Sequence, residues 1–219
     1  MRTPIYLLIV GSISVQANAV TVEEFHNLAK KCAPKVSSDT LLAVVKQESG
    51  LNPYAIGINS KYKLKEQPRS KAKAIQVANK LLSQNVNFDA GIAQINSGNF
   101  DYLKIPVNKL FDVCENLKAA QRIMIDCYKI ARNKLGNGQV ALQHTLSCYN
   151  TGTLSKGFRN GYVSSVLAKA EIVVPAIKTK QVLSNKAKKV VQVKPVSQDE
   201  KQGLPDLFTK NSKPDLFSK

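Results

Sequence analysis

The chain has 219 residues, with 32 Lys and Arg against 15 Asp and Glu, a net charge of +17 and no Trp. That balance favours anionic polymers or membrane surfaces as partners. Nucleic acid, the other usual partner of a basic chain, is disfavoured because no nucleic-acid motif is present, and no apolar stretch beyond the N-terminus is long enough to cross a bilayer.

Residues 1–19 read as a secretory signal peptide: Met1-Arg2 is a short basic start, an apolar run extends from Ile5 to Val15, and Ala17-Asn18-Ala19 is an A-x-A cleavage pattern. Cleavage after Ala19 places the mature protein in the periplasm, without a permanent membrane span. Thr21-Val22-Glu23-Glu24 has the form of a capping box opening a first helix, with Phe25, Leu28, Ala29 and Cys32 as its apolar positions. A second helix follows Pro34, capped by Ser37 or Ser38 and stopped by Gly50. Leu41, Val44, Val45 and Glu48 share one face of it, at i, i+3, i+4 and i+7. Glu48 therefore projects where an apolar residue is expected. Partial burial raises a carboxyl pKa and keeps the group protonated longer, as a general acid requires. A glutamate turned to water at the helix rim is the plainer alternative for this segment alone.

Gly57 to Gln67 is polar and basic and reads as a surface loop, and Ser70 to Asn85 as a helix through Ala74, Val77, Ala78, Leu81 and Leu82. Asn87 to Asn96 is a turn into a short apolar stretch. Asp112-Val113-Cys114-Glu115 opens a long helix that Gly136 stops after about Leu135, and a further helix spans Asn137 to Tyr149. Strand-like stretches are few, so residues 20–174 form one mainly α domain, large enough for a real core.

Cys32, Cys114, Cys127 and Cys148 all follow the cleavage site, and an even count in an oxidising compartment reads as two disulfides. Cys114 and Cys127 lie on one helix about 20 Å apart at 1.5 Å per residue, whereas a disulfide spans at most about 7 Å between Cα atoms. Two connectivities remain open. Cys32–Cys114 with Cys127–Cys148 is favoured over Cys32–Cys127 with Cys114–Cys148. Cys114, Cys127, His144 and Cys148 match no usual zinc spacing, so no metal or cofactor is expected. His26 and His144 read as ordinary helix-surface residues.

Residues 175–219 hold ten Lys and four acids, a net +6 of the total. Pro, Lys, Gln, Ser and Val dominate, the composition of a disordered tail that cannot bury enough apolar area to offset chain entropy. It ends in a repeat, Pro205-Asp206-Leu207-Phe208 and Pro214-Asp215-Leu216-Phe217. The repeat reads either as accidental similarity or as two copies of a docking motif.

Three strings, Glu48-Ser49-Gly50-Leu51-Asn52-Pro53, Gly91-Ile92-Ala93-Gln94-Ile95-Asn96 and Cys148-Tyr149-Asn150-Thr151-Gly152, occur in this order. Together they resemble the goose-type-lysozyme-like domain of family 1 lytic transglycosylases, over residues 21 to 170. The basic insert before Asn87-Phe88-Asp89 is similar to the branch attached to type IV secretion systems. Two positions depart from the family pattern: Ile92-Ala93 stands where Leu-Met is usual, and Cys148 where Ala is usual. The resemblance implies a lysozyme-like fold and cleavage of peptidoglycan between N-acetylmuramic acid and N-acetylglucosamine, with a 1,6-anhydro product. It implies Glu48 as the catalytic acid and then base. Ser49 supports the reacting sugar, and Gln94 offers amide donors and acceptors to the glycan. Tyr149 hydrogen-bonds and orients Glu48. Asn150 holds an acetamido group or the local backbone, and Tyr162 lies in the groove. Asn96, which closes the second string, is counted with the substrate-binding residues. Asp89 and Asp101 are possible second carboxylates, with Asp89 read as organising the turn and Asp101 as surface. The implied role is local opening of the wall for a secretion or conjugation apparatus. The rivals are a hydrolytic lysozyme and a peptidoglycan-binding assembly factor.

Truncation at Val174 is expected to leave murein cleavage in solution unchanged and to reduce secretion in cells, by loss of a tail that docks on secretion components. Loss of cleavage in vitro would instead place the tail in the catalytic fold, and unchanged secretion would remove the docking idea.

Overall fold

The computed structural model describes residues 19–60 and 63–173. The tail, and all of the leader except Ala19, lie outside them. The described chain is mainly helical. Its helices are α1 (Val22–Cys32), α2 (Ser38–Glu48), α3 (Lys71–Ser83), α4 (Phe100–Leu103), α5 (Val113–Leu135), α6 (Gln139–Thr151), α7 (Lys156–Arg159) and α8 (Tyr162–Val173). Three short antiparallel strands, β1 (Ile56–Ile58), β2 (Phe88–Ala90) and β3 (Ile95–Asn96), form a sheet in the order β1-β2-β3.

The helix starts follow from the caps. Thr21 Oγ1 accepts from Glu24 N at 3.2 Å, Ser37 Oγ from Asp39 N at 3.3 Å, Ser70 Oγ from Lys73 N at 3.3 Å and Asp112 Oδ1 from Glu115 N at 3.1 Å. Each satisfies a backbone N–H that the first turn leaves without a partner. The ends shift slightly from those expected. The third helix stops at Ser83 because Asn85 takes φ +53°. The sixth helix begins at Gln139 because Gly138 at φ +97° delays it.

α2 is buried all round rather than on one face: Leu41, Leu42, Ala43, Val44 and Val45 are essentially inaccessible. It packs between α1 and α8, so it is a central rather than a surface helix. α8, whose pattern the sequence reading did not single out, buries Tyr162, Val163, Val166 and Ala170 against this core. The sheet was also not anticipated. Its strands are two or three residues long, below the length at which alternation is informative. The edge strand β1 is completed by a side chain: the Gln67 amide accepts from Ile56 N and donates to Ile56 O, both at 2.9 Å, as a neighbouring strand residue would. His144 is half-buried rather than a plain surface residue, with its ring 4.7 Å from that of Phe158 and Nδ1 2.5 Å from Leu154 O.

The disulfides are Cys32–Cys114 and Cys127–Cys148, with Cα atoms 5.3 Å and 5.7 Å apart. The first staples α1 to the start of α5, and the second joins α5 to α6. Among the described residues no helix is long and apolar enough to cross a membrane.

The two bridges close segments of 82 and 21 residues. The chain-entropy relation gives about 4.5 kcal/mol for the longer loop and about 3 kcal/mol for the shorter. Replacing Cys32 and Cys114 together by Ser is therefore expected to cost more, by roughly 1 kcal/mol, than replacing Cys127 and Cys148. Denaturant unfolding of the two double variants measures this, and the reverse order would sink the loop-length account.

Candidate active site

The site is built around the loop that joins β2 to β3. Gly91 takes φ +80°, and a Cβ there would lie 2.3 Å from Asn116 Nδ2 and 2.6 Å from Leu110 O. Only glycine fits both the conformation and the space. Asn116, on α5 and fully buried, holds the loop from behind. Its Oδ1 accepts from Ala93 N at 2.8 Å, and its Nδ2 donates to Ala90 O at 3.0 Å and Leu110 O at 2.7 Å. A buried amide with all its groups used replaces backbone partners that the irregular loop cannot supply.

The carbonyls of that loop then receive the neighbouring elements. Ser49, the C-cap of α2, donates its hydroxyl to Ile92 O at 2.6 Å. Tyr149, on α6, donates to Ala93 O at 2.7 Å. Gln94, at φ +49°, donates its amide to Gly91 O at 2.8 Å and Ala55 O at 3.0 Å. Ile92 and Ala93 themselves are core residues with no exposure.

Glu48 ends α2 and faces a cleft of about 610 Å³. Its Oε1 accepts from the Tyr162 hydroxyl at 2.5 Å. Burial raises its pKa from the usual 4.5 to about 7, the Tyr162 bond opposes that rise, and the charge of Asp89 adds to it. Burial, and then the charge of Glu48, hold the Tyr162 hydroxyl well above its ordinary value, so it stays a donor. The Tyr149 hydroxyl is raised as well, by burial and then by the Glu48 and Asp89 charges. Near neutral pH the cleft therefore presents a carboxyl able to be either protonated or ionised, with a tyrosine that supports the anion.

Asp89 lies on β2 and lines the same cleft. Asn96 Nδ2 donates to its Oδ1 and Asn59 Nδ2 to its Oδ2, both at 2.8 Å. Burial raises its pKa against these two bonds. It thus organises the turn, as expected from the sequence, and is also a second carboxylate of the site. Asp101 is exposed and does not line the cleft.

Glu48, Gln94, Asn96, Tyr149 and Asn150 line the cleft together, while Ser49 and Tyr162 act from behind that lining. Five of the expected site residues make hydrogen bonds other than those expected. The bond to Glu48 comes from Tyr162, because α8 packs on α2; Tyr149 is drawn to Ala93 O instead. The Ser49 hydroxyl donates to Ile92 O and so fixes the end of α2. Gln94 keeps only its carbonyl oxygen for a ligand, because both amide protons go to backbone. Asn96 spends its amide on Asn87 and Asp89 and its oxygen on Asn87 Nδ2 and Gly98 N. Asn150 Oδ1 accepts from Asn160 Nδ2 at 2.9 Å, and Asn160 Oδ1 in turn accepts from Tyr162 N at 3.0 Å, so Asn150 helps seat the residue that orients Glu48.

Asn116 and Asn59 were not anticipated as site residues. Asn116 left a readable trace, since it stands with Ala120 and Met124 on the buried stripe of α5. Asn59 left none, because its partners are 28 and 30 residues away. Among the described residues no cluster of three or more His, Cys, Asp or Glu side chains is arranged to hold a metal.

The class of protein defined here is a lysozyme-like, mainly helical domain with a half-buried acid in an open cleft. Residues 26–172 match the transglycosylase SLT domain family, and the chain belongs to that family. It is 40% identical over 156 residues to the type IV secretion system protein virB1 of Brucella suis biovar 1, covering 68% of this chain and 65% of that protein. It is 35% identical over 161 residues to protein virB1 of Agrobacterium tumefaciens, covering 74% and 66%. For protein virB1 of Agrobacterium fabrum the identity is 31% over 176 residues, covering 80% and 71%. The chain thus spans just under two thirds of the length of the Brucella relative. No solved structure matches it significantly.

Because the folded state holds a proton on Glu48 that the unfolded chain has released between pH 4.5 and about 7, the stability this group contributes is full below 4.5 and is lost as pH rises through about 7. Two substitutions are expected to move the Glu48 pKa in opposite directions. Tyr162→Phe removes the bond that lowers it and raises it further; Asp89→Asn removes a repulsive charge and lowers it. Carbon-13 NMR titration of the Glu48 carboxyl measures both, and shifts of the same sign would contradict this geometry.

Proposed function

We propose that the protein is a lytic transglycosylase that cleaves peptidoglycan between N-acetylmuramic acid and N-acetylglucosamine, outside the cytoplasm, for a type IV secretion or conjugation apparatus. The observation that carries this reading is Glu48: a carboxyl with a pKa near 7, held by Tyr162, in a cleft of about 610 Å³. Membership of the family, the virB1 relatives and the two disulfides support it. The partners proposed are glycan strands and, through the tail, components of the secretion machinery.

In the proposed reaction protonated Glu48 gives its proton to the glycosidic oxygen as the C1–O bond breaks. The anion left on Glu48 is held by the Tyr162 hydroxyl. It then takes the proton from the muramoyl C6 hydroxyl as that oxygen attacks C1 of its own sugar. The proton count closes, no water is consumed, and a 1,6-anhydro sugar results. One acid–base group is enough because the nucleophile is part of the substrate, and its positioning supplies much of the rate. A pKa near the working pH serves both the donating and the accepting step.

A second reading, hydrolysis, is favoured by one observation, the presence of Asp89 in the same cleft. A second carboxylate is what activates or replaces water in most glycosidases. Asp89 oxygens already accept two amide protons, which suits an anchor better than a base.

Purified protein acting on murein is expected to release products lighter by one water than hydrolysis products, with activity falling as pH rises through about 7. Glu48→Gln is expected to abolish cleavage while the protein stays folded, since the swap is nearly isosteric. Mass spectrometry of the products, with circular dichroism of the variant, measures both. Hydrated products would select the second reading, and cleavage by a folded Glu48→Gln protein would falsify the assignment of the acid.

A further inference from the structure

Tyr102 is 52% exposed and Ile130 is 48% exposed; both are large apolar side chains on the wall of the cleft that holds Glu48. An exposed tyrosine on a four-residue helix would ordinarily turn freely. Tyr102 does not. Its hydroxyl bonds to Asp126 Oδ2, and Arg122 Nε donates to the same hydroxyl at 3.0 Å and to Asp126 Oδ2 at 3.1 Å. The Arg122 guanidinium also stands 5.3 Å from the ring centre, in cation–π contact with the ring. From below, α4 is anchored by Phe100, whose buried ring meets Phe88 edge-on at 5.8 Å. Phe88 precedes Asp89 on β2, so the position of Tyr102 is referred to the strand that carries the second carboxylate of the site. These bonds form a set separate from those of Glu48, Tyr149 and Tyr162.

A fixed aromatic ring at the edge of a polar cleft suits the face of a pyranose, whose axial C–H groups form an apolar surface. Holding the ring in place before binding removes the ordering cost that a mobile side chain would impose. We propose that Tyr102 is a stacking platform for an N-acetylhexosamine of the bound strand, at a subsite separate from the Glu48 cluster, so that the cleft favours glycans long enough to reach both. This inference rests on the carbohydrate reading above and deepens it. Arg122 and Asp126 are positioning residues that act through the ring, and Ile130 extends the apolar edge.

The chain has no Trp, so Tyr102→Trp introduces a sole indole at the platform. It is placed in a Glu48→Gln background, which prevents turnover, and titrated with an N-acetylglucosamine hexamer. A saturable blue shift is expected, tracking binding measured in parallel by calorimetry. Val140→Trp, at a 55% exposed position of α6 outside the cleft lining, is expected to stay silent. Tyr102→Ala in the same background is expected to weaken the hexamer roughly tenfold, the loss of one ring contact. Tyr102→Phe, which keeps the ring and loses its tether, should fall between. A silent indole with calorimetric binding intact would overturn the platform while leaving the carbohydrate reading standing. Absence of calorimetric binding would overturn both.

Discussion

The buried amide of Asn116 is the interaction on which the rest of the site depends. Three of its bonds go to backbone groups of the segments around Gly91, which it holds in a conformation that leaves no room for a Cβ. Because that loop is held from α5, its outward carbonyls are fixed acceptors. Ile92 O receives Ser49 and so positions the end of α2, where Glu48 sits; Ala93 O receives Tyr149 and so positions α6. Three helices are thereby registered on one loop of a few residues. Losing the amide would leave the buried Ala93 N–H without its partner, a cost of about 1–3 kcal/mol, and would loosen the acid at the same time.

The charge distribution is the second organising fact. The chain carries +17, yet among the described residues no lysine or arginine is part of the cleft lining. A cation beside Glu48 would stabilise its anion and lower its pKa; here the charged neighbour is Asp89, which raises it. The one bond that favours the anion comes from Tyr162, a neutral donor. Burial, a like charge and a neutral donor together leave the carboxyl near 7, where it can give a proton and take one back.

The scaffold supports this with modest means. The sheet has three strands, the longest three residues, and one edge is closed by the Gln67 amide rather than by a further strand. The bridges brace α5 at its start and middle, to α1 and α6 respectively, and the second of them also lines the cleft. Asn116 lies two residues beyond Cys114, so the Cys32–Cys114 bridge steadies the element that carries the central amide.

What the sequence determined by itself is what depends on neighbours in the chain. Thr21, Ser37, Ser70 and Asp112 announce the helix starts because a cap bonds within three residues. The raised pKa of Glu48 was legible as a carboxyl among Leu41, Val44 and Val45. The separation of Cys114 from Cys127 was legible because a helix has a fixed rise. Only the tertiary structure decided which tyrosine reaches Glu48, since Tyr149 and Tyr162 are both distant in sequence and the choice depends on α8 packing against α2. The same holds for the inward bonds of Ser49 and Gln94, whose protons go to carbonyls that exist as acceptors only once Asn116 has set the loop. A hydrogen bond between residues far apart in the chain depends on the path of everything between them, and local pattern carries no record of that path.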